Sequence, residues 1–444
     1  MTRPTRADRL RAVNRQVAKI RSGAPPPWLL EHTDRNMHQI GPCDATLAEW
    51  RAAGLPLPDT AAMRRYRVDR VRRELAAHDC DGALLYDPVN VRYATDTTNM
   101  SIWTMHNAVR FAYLATDGPL VLFEFSHGEF LSLHSEVVDE IRPARSAMHF
   151  YVGDRAPEIA RLWADEIVEL IDASSRSGGR RLAIDSLALG QLRELESRRV
   201  DLVDAWPIMD DARAVKSRDE IAALRLAAHS CDVIVGEMRA ALEPGMTEVE
   251  LWTMLHAGNW QRFGEWVETR LMSSGLRTNP WYQEASTKVI ADGELLAFDT
   301  DLVGAYGMCI DMSRTWLCGD GTPTGAQADV YARARDTIES NIPLFVPGAT
   351  FREITDRLTY APVDEFNGYT VMAHGVGLCD EFPSMFTREQ WDDTGYDGVI
   401  EAGNVISVEA FVGRRDGGEG VKLEQQLVVT EDEPELLTKF PLDL

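Results

Sequence analysis

Residues 298–316 read FDTDLVGAYGMCIDMSRTW, and this stretch constrains the fold more than any other in the chain. Two apolar segments typical of buried strands flank the turn sequence GAYG, so the stretch predicts a β-hairpin. It contains three aspartates: Asp299, Asp301 and Asp311. Side chains at positions i and i+2 of a strand share a face, so Asp299 and Asp301 are expected to point the same way, with Asp311 facing them across the hairpin. Buried carboxylates are costly unless something compensates their charge.

Three further residues repeat the pattern of a polar side chain inside an apolar strand. Glu409 lies in ISVEAF, Glu424 lies in KLEQQLVV, and His374 lies in MAHGVGL. Five carboxylates brought together without cations would raise one another's pKa values and destabilise the fold. Two divalent cations would supply a charge of +4 against the −5 of these carboxylates. Carboxylates with one imidazole suit Mn, Fe, Co or Zn better than thiophilic metals, so the pattern predicts a site for two such ions.

The overall composition argues against several other classes of function. The formal net charge of −24 at pH 7 disfavours nucleic acid or an anionic membrane surface as the main partner. No apolar run reaches the roughly 18 residues that a membrane span requires. The six cysteines are scattered without zinc-finger spacing, which favours free thiols and a cytoplasmic location. The basic N-terminal segment lacks the apolar region of a secretory signal and predicts a packing or oligomerisation arm, with an organelle-targeting peptide as the weaker alternative.

The pattern of hydrophobicity and turn residues divides the chain into three parts. Residues 1–60 combine the basic arm with a Pro- and Gly-rich extended segment. Residues 61–215 alternate helical and strand patterns, which predicts an α/β domain. Residues 216–444 open with two capping-box sequences, SRDE and TEVE, and then become rich in strands, which predicts an α+β domain.

The order Asp, Asp, His, Glu, Glu across these strands resembles the pita-bread fold of the methionine aminopeptidase, prolidase and creatinase superfamily. Members of that superfamily use those five residues to hold two metal ions. The preceding half resembles the creatinase/prolidase N-terminal domain, to which the segment YDPVNVRYATD is similar. The resemblance implies an α/β N-terminal domain followed by an α+β pita-bread catalytic domain.

Three departures separate this chain from the ordinary peptidases of that superfamily. Thr300 takes the position expected of a metal ligand, with an acid on each side. The segment HGVGLCDEFP has Asp380 and Glu381 where the peptidases carry a second histidine, and NPWYQEAS stands where they keep a third. From residue 257 onward His374 is the only histidine, so if it binds metal no local second imidazole remains to orient a scissile carbonyl. Peptide hydrolysis is therefore disfavoured. Metal-free creatinase chemistry is disfavoured because every carboxylate ligand is retained.

Several segments instead resemble the dimethylsulfoniopropionate (DMSP) lyases of the DddP type: TRLMSSGLRTNPWYQE, FDTDLVGAYG, CIDMSR, HGVGLCDE and the N-terminal YATDTTNMSIWTMHN. In those enzymes the doubled aspartate supplies an additional ligand to a two-metal centre, commonly of iron. Carried over by motif, the resemblance implies the following metal ligands: Asp299, Asp301, Asp311, His374, Glu409 and Glu424. It further implies Asp380 as the catalytic base, and Trp103 and Tyr369 as residues that line the substrate site.

The implied reaction is consistent with the chemistry of these residue types. DMSP is a zwitterion, and removal of the proton next to its carboxylate would expel dimethyl sulfide and leave acrylate. A carboxylate in a dry pocket can have a raised pKa and accept that proton. A sulfonium has no N–H to donate, so aromatic faces and negative charge are the expected means of binding it. The aromatic candidates are Trp103, Trp281, Tyr282 and Tyr369.

Two other classes of function stay open at this point. One is a dinuclear metallohydrolase, either of the Xaa-Pro aminopeptidase or dipeptidase kind or acting on another small zwitterion. A peptidase would have to recruit His106 or another N-terminal-domain histidine, which a partner subunit would supply. The other is a non-catalytic pita-bread binding protein, which the complete ligand set disfavours. The resemblance also implies a homodimer in which N-terminal-domain residues complete the neighbour's site.

Two positions near the predicted site keep two interpretations each. One of the adjacent acids Asp380 and Glu381 is expected to be a solvated loop residue, and the motif favours Asp380 as the base. Arg314, in the strand MSRTW, is expected either to pair with a ligand carboxylate or to balance surface charge.

Overall fold

The structure is a computed structural model that describes residues 41–175 and 178–444. The predicted basic arm and the Pro-rich segment up to residue 40 lie outside the described residues. The described chain forms two compact units, one built from residues 59–213 and the other from residues 41–58 and 214–444. The segment before residue 59, which contains helix α1 (Asp44–Ala52), therefore groups with the second unit.

The first unit has a mixed sheet with the spatial strand order β4-β3-β2-β1-β5-β6. Its strands are β1 (Gly82–Leu85), β2 (Phe111–Ala115), β3 (Leu120–Glu124), β4 (Glu140–Pro143), β5 (Arg181–Ile184) and β6 (Asp201–Asp204). Its helices are α2 (Thr60–Ala77), α3 (Pro88–Thr95), α4 (Ser101–Thr104), α5 (His149–Val152), α6 (Ala156–Ser174), α7 (Leu189–Ser197) and α8 (Trp206–Ala214). Tyr113 and Phe123 of the sheet share a core with Trp163 and Ile167 of α6, as expected of an α/β domain.

The second unit is richer in strands, as its sequence predicts. Its further helices are α9 (Arg218–Ala241), α10 (Glu248–Gln261), α11 (Gly325–Asn341), α12 (Phe351–Arg357) and α13 (Trp391–Thr394). Its strands are β7 (Trp266–Val267), β8 (Met272–Ser274), β9 (Leu295–Asp299), β10 (Leu302–Val303), β11 (Cys309–Ile310), β12 (Ser313–Leu317), β13 (Phe366–Gly368), β14 (Val371–Val376), β15 (Asp380–Phe386), β16 (Val405–Arg414), β17 (Gly420–Val428) and β18 (Glu435–Leu436). Their sheet orders are β11-β10-β7, β12-β9-β8 and β15-β14-β16-β17-β18, with β13 paired to β16. Over the described ranges, no helix has the length and apolarity needed to cross a membrane.

Both predicted capping boxes are confirmed. The Ser217 hydroxyl accepts the N–H of Glu220, and the Glu220 carboxylate accepts the N–H of Ser217. Thr247 and Glu250 make the same reciprocal pair at the start of α10. Each pair satisfies two N–H groups that a helix start would otherwise leave without acceptors, so α9 and α10 begin where the sequence indicates.

The largest sheet of the second unit is apolar on one face and charged on the other. On β16, Val408 and Ala410 lie in the core that also contains α11, whereas Glu409 between them projects from the opposite face. On β17, Leu423 lies in that core and Glu424 projects away from it. Glu409 and Glu424 are register partners on the two antiparallel strands. The alternation of strand residues therefore places two acids side by side.

The strands that carry the three aspartates are interrupted, which differs from the sequence expectation. A break at Thr300 and Asp301 separates β9 from β10, and a similar break separates β11 from β12. The Thr300 hydroxyl donates to the carbonyl of Ile310 at 2.8 Å and accepts the N–H of Met312 at 3.0 Å, so a side chain replaces the ladder bonds there. Asp301 has a φ of +34°, in the left-handed region. The expectation that Asp299 and Asp301 lie on one continuous strand is therefore wrong.

Candidate metal centre

Most of the predicted site residues lie in one cluster within the second unit. Three overlapping groups have possible ligand atoms within 4.8 Å of one another: Asp299, Asp311 and Glu424; His374, Glu409 and Glu424; and Asp311, His374 and Asp380. Different strands bring them together, because β9 ends at Asp299, β15 begins at Asp380, and Asp311 lies between β11 and β12. We refer to these six residues as the acidic cluster.

His374 presents one ring nitrogen to the carboxylates and ties the other to the backbone. Its Nε2 lies 3.3 Å from Asp311 Oδ2, 3.5 Å from Glu424 Oε1 and 3.7 Å from Glu409 Oε1. Its Nδ1 lies 3.1 Å from the carbonyl oxygen of Gly375. A carbonyl can only accept, so Nδ1 donates in this contact, which leaves Nε2 as the ring nitrogen that can bind a cation. Metal-binding histidines are commonly oriented in this way.

The pKa directions show a surplus of negative charge in the acidic cluster. Burial and the nearby Glu424 raise the pKa of Asp311 well above its ordinary value. Burial raises the pKa of Glu409 to about 8, although Lys422 opposes the rise. Burial lowers the pKa of His374, but its contacts with Asp311 and Glu424 and the charges of Asp380 and Glu409 together outweigh that effect and raise the pKa well above the usual range. Raised pKa values mean that these groups gain stability from added positive charge, so the cluster is suited to bind metal cations in place of protons.

Unsatisfied oxygens in the cluster also fit bound metal ions. Within the described residues, Asp299 Oδ1, Asp311 Oδ1 and Glu424 Oε1 are buried and have no hydrogen-bond partner. Leaving a buried carboxylate oxygen without a partner costs free energy, which a cation would recover. The donor set of carboxylates with one imidazole nitrogen suits Mn, Fe, Co or Zn. The residues present therefore fit the divalent metal centre expected from the sequence.

Lys422 is a residue of this site that the sequence reasoning missed. Its Nζ lies 2.9 Å from a carboxylate oxygen of both Asp299 and Glu409. It also lies 3.0 Å from Glu424 Oε2 and from Ser313 Oγ, and only 1% of the side chain is exposed. The sequence contains the signal for this position, because Lys422 and Glu424 are two residues apart on one strand and therefore share a face.

Replacing Lys422 with methionine should destabilise the metal-free protein more than the metal-loaded protein. The substitution leaves Asp299, Glu409 and Glu424 without their buried ammonium, and breaking such a pair costs about 3–5 kcal/mol. Bound divalent ions would supply replacement positive charge. The measurement is thermal unfolding with a chelator and with added metal, with Lys439→Met at an exposed site as the control. Equal losses in both conditions would contradict the role of Lys422 as a counter-charge.

Asp380 and Glu381, the adjacent acids that come after His374 in the sequence, have different environments. Asp380 is 54% exposed, and its Oδ1 lies 3.7 Å from His374 Nδ1. Glu381 is 2% exposed, and its Oε2 lies 2.9 Å from Lys216 Nζ. Successive residues of β15 point to opposite faces, which explains the separation. The expectation that one of these acids is a solvated loop residue is therefore wrong for Glu381, and Asp380 is the acid that is both accessible and part of the cluster.

Comparison with known proteins places the chain in a family. Residues 67–215 match the creatinase/prolidase N-terminal domain, and residues 222–431 match metallopeptidase family M24. Two curated proteins called dimethylsulfoniopropionate lyase DddP, from Roseovarius nubinhibens and Roseobacter denitrificans, are each 39% identical over 417 residues, or 92% of this chain and 93% of each relative. The chain belongs to the DddP family.

Solved structures give the fold of this DddP family member. An Xaa-Pro dipeptidase from Bacillus anthracis matches with a TM-score of 0.69 and 21% identity, over 85% of this chain and 98% of the dipeptidase. At that identity the likeness establishes the fold and not the activity. Together with the two domain matches, it confirms the predicted α/β N-terminal domain and α+β pita-bread catalytic domain.

Asp301, the second acid of the segment FDTD, lies outside the three groups of possible ligand atoms. Its Oδ2 accepts a hydrogen bond from the Thr269 hydroxyl. Burial raises its pKa well above the ordinary value, and the negative charges of Asp299 and Asp380 raise it further. The Asp301 carboxylate is therefore close enough to the acidic cluster to be affected by its negative charge, and one of its oxygens accepts a hydrogen bond from the neutral Thr269 hydroxyl. Its role as a metal ligand stays a prediction.

Three of the predicted substrate aromatics lie close to Lys422, either directly or through another ring. The Lys422 ammonium lies 5.8 Å from the centre of the Trp281 ring and 5.3 Å from that of Tyr369, which is within cation–π range. The rings of Tyr282 and Tyr369 are 5.6 Å apart. Trp281 is nearly buried and stacks on Phe411, whereas Tyr282 is 63% exposed. Tyr282 and Tyr369 are therefore the more accessible of these three aromatic residues.

The fourth predicted aromatic, Trp103, belongs to the first unit. It lies on α4, with its ring centre 5.7 Å from that of Phe125 and 6.5 Å from that of Tyr151. Met100, Ile102 and Phe150 are more than half exposed. Exposed apolar residues grouped in this way are typical of an interaction surface.

The segment SSGLRTNPWYQE, which contains Trp281 and Tyr282, is held in place by hydrogen bonds along its length. The buried carboxylate of Glu248 accepts the N–H groups of Ser274 and Ser286 and contacts the Arg277 guanidinium. Asn279 donates to the backbone carbonyl of Arg414 at 2.9 Å. These bonds fix the loop on both sides of Trp281, so most of this motif is structural.

Arg314 takes neither of its two expected roles. It is fully buried, and its Nη1 donates to the backbone carbonyl of Glu424 rather than to the carboxylate. Its other donors reach Gln425 Oε1 and the carbonyls of Phe440 and Pro441. Arg314 therefore ties β17, the strand of Glu424, to the C-terminal segment.

Proposed function

We propose that this protein is a metal-dependent carbon–sulfur lyase that cleaves DMSP to dimethyl sulfide and acrylate by base-catalysed β-elimination. The observation that carries the proposal is the 39% identity to two curated DMSP lyases over almost the full length of both proteins. The acidic cluster supports it, because an accessible carboxylate lies beside a group of residues that fits metal ions. The absence of a second histidine in the sequence after residue 257 favours this function over peptide hydrolysis.

We further propose two divalent ions in the acidic cluster, with iron as the metal that family resemblance favours and Mn, Zn or Co as alternatives. The proposed ligands are Asp299, Asp301, Asp311, His374, Glu409 and Glu424. When bound, such ions would draw electron density from the substrate carboxylate and make the adjacent C–H more acidic. Elemental analysis of the purified protein identifies the metal and its stoichiometry.

Asp380 is the proposed general base. Its carboxylate takes the proton from the carbon next to the substrate carboxylate. The electron pair of that C–H bond forms the second bond of the new C=C, and the bond between the β-carbon and sulfur breaks. Its electrons remain on sulfur, so dimethyl sulfide leaves as a neutral molecule and acrylate is the second product. Among the acids of the cluster, Asp380 is the exposed one, as a base that must reach substrate requires.

The rate of this reaction should fall at acid pH as Asp380 becomes protonated. Desolvation and the charges of Glu424 and Asp299 raise the pKa of Asp380, although His374 opposes the rise. A base must be unprotonated, so activity should be present above the raised pKa and be lost as the pH falls through it. The measurement is kcat/KM against pH for the wild type and Asp380→Glu, with metal content followed at each pH because ligands also bind protons. An acid limb that is identical in both proteins would contradict the assignment.

The sulfonium group is proposed to lie against the accessible aromatic rings of Tyr282 and Tyr369. Tyr369 lies beside Lys422, which contacts three carboxylates of the cluster, and Tyr282 lies against Tyr369, so these rings offer aromatic faces near the negative charge of the cluster. Trp103 is proposed to contribute from a partner subunit of a homodimer, since exposed apolar side chains surround it. We also propose a cytoplasmic location, which the scattered spacing of the six cysteines in the sequence supports.

The test of the function compares two substrates. The purified protein, loaded with iron or manganese, is incubated with DMSP and separately with proline dipeptides. We expect dimethyl sulfide in the headspace of the first reaction and no free proline in the second. Proline release without dimethyl sulfide would replace the lyase proposal with the metallohydrolase alternative.

A further inference from the structure

A buried ion pair lies next to the turn that precedes Asp380. Lys216 and Glu381 are 165 residues apart in sequence, yet Lys216 Nζ lies 2.9 Å from Glu381 Oε2. Their side chains are 4% and 2% exposed. Burying two charges is costly, and a buried pair frequently contributes less stability than well-packed apolar side chains would. Because stability alone does not account for such a pair, a role in positioning nearby residues is the alternative explanation.

The Glu381 carboxylate organises the turn between β14 and β15. Its Oε1 accepts the N–H of Leu378 at 2.9 Å. The backbone of the turn passes so close to this carboxylate that a Cβ on Gly377 would lie 2.3 Å from Glu381 Oε2. The turn is also held from outside, because the N–H of Cys309 donates to the Gly377 carbonyl at 2.8 Å. Glu381 therefore stabilises the turn through the hydrogen bond that its carboxylate accepts from the Leu378 N–H.

Lys216 connects this turn to the strand that carries a proposed metal ligand. Its N–H donates to the carbonyl of Gly403 at 2.9 Å, and Val215 forms a β-bridge with Asn404. Residue 405 begins β16, the strand of Glu409. The backbone of Lys216 is therefore anchored at the start of β16, while its ammonium holds the carboxylate of the turn.

We propose that the Lys216–Glu381 ion pair positions Asp380 for proton abstraction. Asp380 and Glu381 are consecutive on β15 and face opposite sides, so fixing Glu381 on the buried side aims Asp380 at His374. The pair thereby sets the distance between the base and the ligand strands. The inference rests on the proposed function, in which Asp380 is the base, and it makes Lys216 and Glu381 positioning residues that do not touch substrate.

The first test is Lys216→Met, which removes the ammonium but keeps an apolar stem. We expect kcat to fall by about 10–100-fold, the effect of misplacing a reacting group by about 1 Å, with KM within about threefold and metal content unchanged. Lys216→Arg should recover most of the lost kcat. The control is Arg335→Met, which removes an exposed ion pair with Glu339 on α11 and should leave kcat unchanged. Loss of metal, or an effect on KM alone, would overturn the proposal.

A double-mutant cycle separates positioning from general stability. In an Asp380→Asn background, Lys216→Met should cause no further loss of the residual activity, because the residue that it positions no longer acts as a base. A further loss of the same 10–100-fold would show that Lys216 acts independently of Asp380 and would overturn the proposal. If Lys216→Met does not fold, Glu381→Gln replaces it with the same expectations, since glutamine keeps an acceptor for the Leu378 N–H.

A measurement that does not need activity distinguishes failure of this inference from failure of the proposed function. Hydrogen exchange of residues 376–382 should be faster in Lys216→Met than in the wild type, with the exchange of helix α9 unchanged. Unchanged exchange in the turn would overturn the positioning role whatever the substrate is. A wild-type protein that releases no dimethyl sulfide, together with faster exchange in the variant, would refute the lyase proposal and leave the role of the pair in the turn intact.

Discussion

Replacing Asp380 with asparagine should lower the rate of dimethyl sulfide release by about 10³-fold while leaving the metal content unchanged. General bases typically contribute 10²- to 10⁴-fold to a rate, and asparagine has nearly the same shape as aspartate but cannot accept the proton. Asp380 is 54% exposed, so its carboxylate can reach a substrate, whereas Glu381 beside it is buried against Lys216. The measurement is a steady-state rate with DMSP, paired with elemental analysis of the same preparation.

This substitution also resolves an ambiguity in the geometry of the acidic cluster. Asp380 shares a group of possible ligand atoms with Asp311 and His374, so it lies close enough to serve as a metal ligand. Loss of metal from Asp380→Asn would assign it as a ligand and contradict its role as a base. An unchanged rate would place the base elsewhere. Asp392→Asn, at an exposed position of α13, is the matched control and should behave as the wild type.

Replacing His374 with alanine should remove metal from the protein and reduce activity by at least about 10³-fold. Its Nε2 lies within 3.7 Å of oxygens of Asp311, Glu409 and Glu424, so loss of the imidazole removes the nitrogen donor at the centre of the cluster. The remaining carboxylates would then repel one another without that donor to help bind a cation. Metal content and the rate of dimethyl sulfide release are measured together.

The control for this prediction is His256→Ala. His256 lies on α10, where its ring contacts Trp252 rather than the cluster, so this variant should keep both its metal and its rate. Chelation of the wild type should reproduce the effect of His374→Ala, and added iron or manganese should restore the chelated wild type but not the variant. A His374→Ala protein with full metal content and a normal rate would exclude His374 as a ligand.

The periodicity of the sequence was sufficient to predict strands around Glu409 and Glu424, but not the course of the chain from Asp299 to Asp301. Glu409 and Glu424 each interrupt an apolar strand, and the structure pairs them in register on the face away from α11. The capping boxes at Ser217 and Thr247 likewise depend only on residues three positions apart. Patterns of this kind are local, so they can be recognised in the sequence without knowledge of the tertiary structure.

Other features depend on tertiary contacts that no local pattern contains. The break between β9 and β10 arises because Thr300 bonds to the backbone of residues 310 and 312. The pairing of Lys216 with Glu381 joins segments 165 residues apart. Lys422 combines both kinds of feature. The face of β17 on which it lies could be predicted from the sequence, but its burial among carboxylates from other strands could not.

The most direct test of the central claim is the product composition when the metal-loaded protein acts on DMSP. Proton NMR follows acrylate in a sealed tube while dimethyl sulfide is quantified in the same sample. Elimination predicts that the two products accumulate in equal amounts and that no 3-hydroxypropionate forms. Accumulation of 3-hydroxypropionate with dimethyl sulfide would indicate hydrolytic displacement and contradict elimination, and unchanged DMSP would contradict the assignment of the substrate.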